Sequence, residues 1–136
     1  MMSAFDIFRI SGSGIELSQK WMDAVSDNIA NINTVRRTSD AAFQARYIVA
    51  QSVDYGSGQG GVEVAGAAYG SAAGHVVYDP SNPLADAQGM VRRPDIDLGD
   101  QMTQLIQAQR GYQANIAVVE RARSAYESAL QLGRNV

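Results

Sequence analysis

At 136 residues the chain can build one domain or two thin layers but not two independent cores, and with only 18% of it charged its surface is set by Ala, Ser, Gln and Asn. A net charge of −3, with eleven Lys and Arg spread along the sequence, argues against nucleic acid as a partner, and the lack of cysteine removes thiol catalysis, thiolate metal sites and disulfides. No apolar run approaches the roughly 18 residues that span a bilayer, and Asp6 and Arg9 interrupt the first apolar residues, so export by a cleaved secretory leader is not expected.

The first third carries a heptad pattern. Phe8, Ile15, Met22 and Ile29 share one position, and Ser11, Ser18, Val25 and Ile32 share a second. A period of about 3.5 residues gathers them into a seam that a partner helix must cover. Ser13-Gly14-Ile15-Glu16 has the form of a capping box, and Gly12 and Gly14 each weaken a helix by about 1 kcal/mol relative to Ala. The spacing therefore allows either one continuous helix or a separate short turn before Glu16. Asn28, Asn31 and Asn33 mark the end of this helix.

From residue 35 to 95 the helical period collapses. Ala45–Val53, Val62–Ala65 and His75–Tyr78 read as short strands, Gly56–Gly61 as a flexible connector, and Tyr78–Pro83 as a turn cluster in which two prolines fix φ. Gly56, Gly58 and Gly61 satisfy G-x-G-x-x-G, but a strand pattern follows where a dinucleotide site needs a helix. His75 is the only histidine, which leaves no two-histidine metal site. Asp95–Asp100 begins like a calcium loop, yet Ile106 stands where the closing carboxylate belongs. No cofactor, small-molecule substrate or enzymatic activity is expected.

In the last third Leu98, Met102, Leu105, Gln109, Tyr112, Ile116, Val119, Arg123, Tyr126 and Leu130 step by four and three. Pro94 closes what precedes, Asp97 and Asp100 complement the dipole of a helix start, and Gly133 reads as a stop. The helix so defined, from Asp97 to Leu132, would be on the order of 50 Å long. Gln109 occupies the seam, where a paired amide fixes register, and Ala108, Gly111 and Ala114 permit close approach. Leu17, Trp21, Ile106 and Val118 lie off the seams and call for further neighbours.

The expected fold is mainly α. Segments 1–34 and 96–136 form one discontinuous, coiled-coil-like axial unit, and 35–95 is a small β-rich or extended module. The terminal helices are expected to be poorly ordered alone and to fold on assembly. Subunit contacts are expected through Ile15, Met22, Val25, Asn28, Ile29, Asn31 and Ile32 on the first helix. On the second they fall on Met102, Leu105, Gln109, Tyr112, Asn115, Ile116, Val119, Tyr126 and Leu130.

Four stretches carry a family resemblance. Asp27-Asn28-Ile29-Ala30-Asn31-Ile32-Asn33-Thr34 resembles the S-x-N-I-A-N-x-x-T signature of flagellar rod and hook proteins. Phe5–Phe8 with Ile10–Ser13 looks like the opening of the proximal rod members of that family. Tyr78-Asp79-Pro80-Ser81-Asn82-Pro83-Leu84-Ala85-Asp86 resembles their Y-D-P-x-x-P-x-A-D stretch, and Gly89–Val91 with Pro94–Asp97 continues it. Arg110–Asn115 is close to R-A-Y-Q-A-N, with Gly111 for Ala, while Asp97–Met102 departs from the usual P-x-x-E-M.

The resemblance implies a structural subunit of the proximal rod, in the periplasm-spanning basal body, exported by the flagellar type III apparatus without a cleaved signal. Its terminal helices would stack around the central channel, carrying torque and surrounding the export conduit. The middle module, marked by Tyr78, Asp79, Pro80, Pro83, Ala85 and Asp86, would lie outside; because that stretch is less generic than the helices, Ala45–Met90 is expected to supply lateral specificity and not core stability. Implied partners are copies of the chain, other proximal rod proteins, the distal rod protein and the adaptor between export gate and MS ring. A coiled-coil subunit of a non-flagellar secretion apparatus is the alternative; it shares the heptads but not both motifs.

Overall fold

The computed structural model describes residues 3–56 and 60–134. Helix α1 spans Ala4–Ala30, strands β1 and β2 span Arg46–Asp54 and Gly60–Tyr69, β3 and β4 span His75–Tyr78 and Met90–Arg93, and helix α2 spans Leu98–Arg134.

Helix α1 is continuous through Gly12 and Gly14 and starts well before the predicted cap. Ser3 is the N-cap: its hydroxyl accepts the Asp6 N–H, and the Asp6 carboxylate accepts the Ser3 N–H at 2.8 Å. Satisfying two orphan donors at once fixes this terminus, and those hydrogen bonds, with Arg9 nearby, hold the Asp6 carboxyl below its ordinary value. Ser13 is thus mid-helix. Its hydroxyl donates to the Ile10 carbonyl at 2.7 Å and accepts the Val62 N–H at 3.1 Å.

The middle holds two antiparallel ribbons, β1 with β2 and β3 with β4. Gly60 and Gly61, read in the sequence as connector, are strand residues opposite Asp54 and Val53; Gly58 lies outside the described residues. The register shifts between Val49 and Ala50, leaving Ala65 as an extra residue on β2. Strand β4 has no counterpart in the sequence reading. Its Arg92 exchanges two 2.9 Å backbone hydrogen bonds with Arg36, extending the β3–β4 ribbon by one bridge. The Arg92 guanidinium also donates to the carbonyls of Thr38, at 2.7 Å, and Ala73, so one side chain gathers two irregular loops.

Helix α2 starts where Asp97 accepts the Asp100 N–H at 2.8 Å. Its 37 residues run past the predicted stop at Gly133 and give a length of about 55 Å, against about 40 Å for α1. The two helices pack on each other, and the β1–β2 ribbon lies on α1. Among the described residues the buried apolar set is Ala24, Val25, Ala42, Ala45, Val91 and Ala108, and Gln101 is the largest fully enclosed side chain. This is a core of small residues.

Candidate subunit interface

The contact between the helices is made by small and amide side chains. A Cβ on Gly14 would lie 2.7 Å from Asn115 Nδ2, and one on Gly111 would lie 3.1 Å from Ser18 Oγ. Trp21 Nε1 donates to Gln104 Oε1 at 3.3 Å. Ser11, Ser18, Val25 and Asn28 are buried on α1, and Gln101 and Ala108 on α2. Small residues let backbones approach closely, and enclosed amides must pair because an unsatisfied one costs about 1–3 kcal/mol.

Asn28 is the pivot of this contact. Its Nδ2 donates to Gln101 Oε1 and to the Arg46 carbonyl, both at 2.9 Å, and its Oδ1 accepts the Arg46 N–H at 2.8 Å. One enclosed amide therefore joins α1, α2 and the start of β1. The Arg46 guanidinium completes the attachment outside, donating to Asp27 at 2.7 Å.

On α2 the inward face differs from the expected seam. Gln109 is exposed, and its neighbour Ala108 is enclosed instead. The seven-residue steps Gln101, Ala108 and Asn115 lie toward α1. Leu105, Tyr112, Ile116 and Val119 are half-buried on the flank, while Met102, Tyr126 and Leu130 are exposed. Leu98, Ile106, Val118 and Leu132 are also exposed, the last at 70%. On α1, Ile15, Met22 and Ile29 are half-buried, as are Asn31 and Ile32 in the turn that ends it. From Arg123 to Arg134 every residue of α2 is exposed.

The motif in the middle module builds a turn. Asp79 accepts from the Ser81 hydroxyl at 3.1 Å and the Asn82 amide at 3.2 Å. Asp86 accepts the N–H groups of Gln88 and Met90 and the Thr38 hydroxyl, each at 2.9 Å. These bonds, the Met90 N–H foremost, hold its carboxyl below the ordinary value of 3.8. Ala85 is half-buried, Pro80 and Pro83 are exposed, and Tyr78 is 71% exposed. Its ring edge lies over Gly89, at φ +76°, where a Cβ would sit 2.8 Å from Tyr78 Cε2.

Sequence reasoning did not find Ser13, Gln101, Gln104, Arg46 or Arg92 in these roles. For Gln101 a signal existed: it stands seven residues before Ala108 and fourteen before Asn115.

The helix pair thus encloses a polar contact and leaves large apolar side chains exposed along α2. The family model "Flagella basal body rod protein" matches residues 8–36, within α1 and the turn after it, and "Flagellar basal body rod FlgEFG protein C-terminal" matches 87–132, from before β4 through most of α2. The class is therefore that of flagellar basal-body rod proteins. The flagellar basal-body rod protein FlgC of Salmonella typhimurium is 37% identical over 135 residues, covering 98% of this chain and all of the relative. FlgC of Escherichia coli O6:H1 is 34% identical over 134 residues and that of Bacillus subtilis 27% over 150, each covering 98% of this chain and all of the relative. The chain belongs to the FlgC family and is a structural subunit of the rod of the flagellar basal body.

Proposed function

We propose that the chain is a proximal rod subunit that polymerises through α1 and α2, forming a shaft that transmits torque and surrounds the protein export channel. The supporting observation is the number of large apolar residues left exposed along α2. Leu98, Met102, Ile106, Val118, Tyr126, Leu130 and Leu132 are exposed, whereas among the described residues the interior encloses nothing larger than Gln101. Each large apolar side chain covered on association contributes about 1.5–3 kcal/mol before the cost of immobilisation. Several such contacts per subunit favour a polymer over a free chain.

On this reading the helices pair as a coiled-coil-like axial unit made of 1–34 and 96–136, and 35–95 forms the outer module. Ile15, Met22, Ile29 and Ile32 join the exposed α2 residues in contacts with copies of the chain, other proximal rod proteins, the distal rod protein and the adaptor near the export gate. The flagellar type III apparatus delivers the chain without a cleaved signal. Among the described residues no helix is long and apolar enough to cross a membrane.

The test replaces Met102 and Ile106 by Glu in cells lacking the native gene. Basal bodies isolated from them are expected to lack a complete rod, and swimming to be lost, while the purified variant keeps its circular dichroism. Normal swimming with both substitutions present would refute assembly through these two residues.

A further inference from the structure

The β1–β2 ribbon is pinned to α1 at two points, and the two distances match. Ser13 accepts the N–H of Val62, which pairs with Ser52 toward the hairpin tip. Asn28 exchanges two hydrogen bonds with the backbone of Arg46 at the base. From Ser13 to Asn28 is fifteen helical residues, about 22 Å of rise. From Arg46 to Ser52 is six strand residues, about 20 Å. The ribbon therefore lies lengthwise on α1, with a side chain of the helix gripping its backbone near either end. Gly61 permits the tip grip, since a Cβ there would lie 3.0 Å from Ser13 Oγ.

The two pins are not equivalent. The Ser13 hydroxyl answers only to α1 and β2, whereas Asn28 Nδ2 spends one hydrogen on Arg46 and the other on Gln101 of α2. Asn28 and Gln101 are fully enclosed, with relative exposures of 0% and 1%, so water cannot replace either partner. An enclosed amide is satisfied only when both partners are present. A shift of α2 by one residue carries Gln101 away from Asn28 and leaves a buried donor unmet at the ribbon's base.

We infer that Asn28, Gln101 and Ser13 are positioning residues that index the β1–β2 ribbon to the helix pair, with Asn28 coupling the seat of the ribbon to the register of α2. A single pin would let the ribbon pivot on α1. Two pins fix its position, and the shared amide makes that position conditional on correct pairing of α1 with α2. The molecule then presents its ribbon to neighbours in one orientation, and only when its own helices are in register.

The experiment is hydrogen exchange of the full purified chain, resolved by residue, in three variants. Gln101→Met keeps the side-chain length and removes only the amide. It is expected to speed exchange of the Arg46 amide about tenfold although that amide is bonded to Asn28 and not to Gln101, with helix content unchanged. Asn28→Ala should do the same and more. Ser13→Ala should speed exchange at Val62 near the tip and leave Arg46 protected. Unchanged protection of Arg46 in Gln101→Met would overturn the coupling. So would loss of helix content in step with the ribbon, which would make the effect global, or an unprotected Arg46 amide in the unaltered chain.

Discussion

Gly14 and Asn115 meet so closely that a Cβ on the glycine would lie 2.9 Å or less from three atoms of the amide, which is itself held by a 2.8 Å hydrogen bond to the Gly111 carbonyl. Asn115 cannot turn aside without leaving that carbonyl. Gly14→Val is therefore expected to destabilise the purified chain by about 1–3 kcal/mol, the usual range for overpacking. Gly12, one residue closer to the helix start than Ser13, meets nothing within 4 Å. Gly12→Ala is expected to stabilise by about 0.5–1 kcal/mol, because alanine loses less backbone freedom in a helix. Urea titration followed by the fluorescence of Trp21, the only tryptophan, reads both. Equal effects of one sign would contradict the different surroundings of the two glycines.

The loop around Asp86 should respond to acid. Its carboxyl is depressed in the folded chain by the Met90 N–H, the Thr38 hydroxyl and the Gln88 N–H. A depressed carboxyl contributes stability that is present above the ordinary value of 3.8 and is lost as pH falls through the lower, folded value. The amide resonances of Gln88 and Met90 are expected to move together in a pH titration below 3.8, and Asp86→Asn to abolish that joint movement. A joint step that survives the substitution would assign it to another group.

Gly89 adopts φ +76° beneath the Tyr78 ring and beside Pro80. Gly89→Ala combines left-handed backbone strain, about 1–2 kcal/mol, with a steric conflict. Faster amide exchange in β3 and β4, with unchanged exchange in the middle of α2, is the expected pattern. A variant as protected as the parent would show that Tyr78 can move aside at little cost.

The last twelve described residues of α2, Arg123–Arg134, are all exposed, and Arg123–Glu127 at 2.8 Å is an exposed pair that adds little. An isolated helical stretch of this length is marginal in water. Because α1 and α2 cover each other up to this point, folding on assembly is expected of this segment and not of the whole helix pair: exchange in the free chain should be fast from Arg123 onward and slow near Ala108, and become slow throughout in assembled rods. Slow exchange of the tail in the dilute chain would contradict folding on assembly for this segment.

The element types were largely legible, because heptad steps and turn residues act locally. Both helices, three of the four strands and the turn at Tyr78–Pro83 could be read in advance. Strand β4 could not, since Met90-Val91-Arg92-Arg93 becomes a strand through partners far away in sequence, namely β3 and Arg36. The first seam was partly readable: Ser11, Ser18 and Val25 are enclosed. The facing stripe of α2 was partly read: Ala108 and Gly111 were legible as sites of close approach, but hydrophobic periodicity selects large residues and passed over Gln101. For the same reason the register amide fell at Gln101 rather than Gln109. Gly61, which looked like connector, is a strand residue whose missing side chain admits Ser13.

Helix α2 outruns α1 by about 15 Å, the rise of the ten residues by which their lengths differ. Molecules joined through such an overhang meet as overlapping splints rather than end to end. In the torque-transmitting shaft proposed above, a twisting force crossing such a joint would be spread as shear along a row of side chains instead of concentrating on one plane.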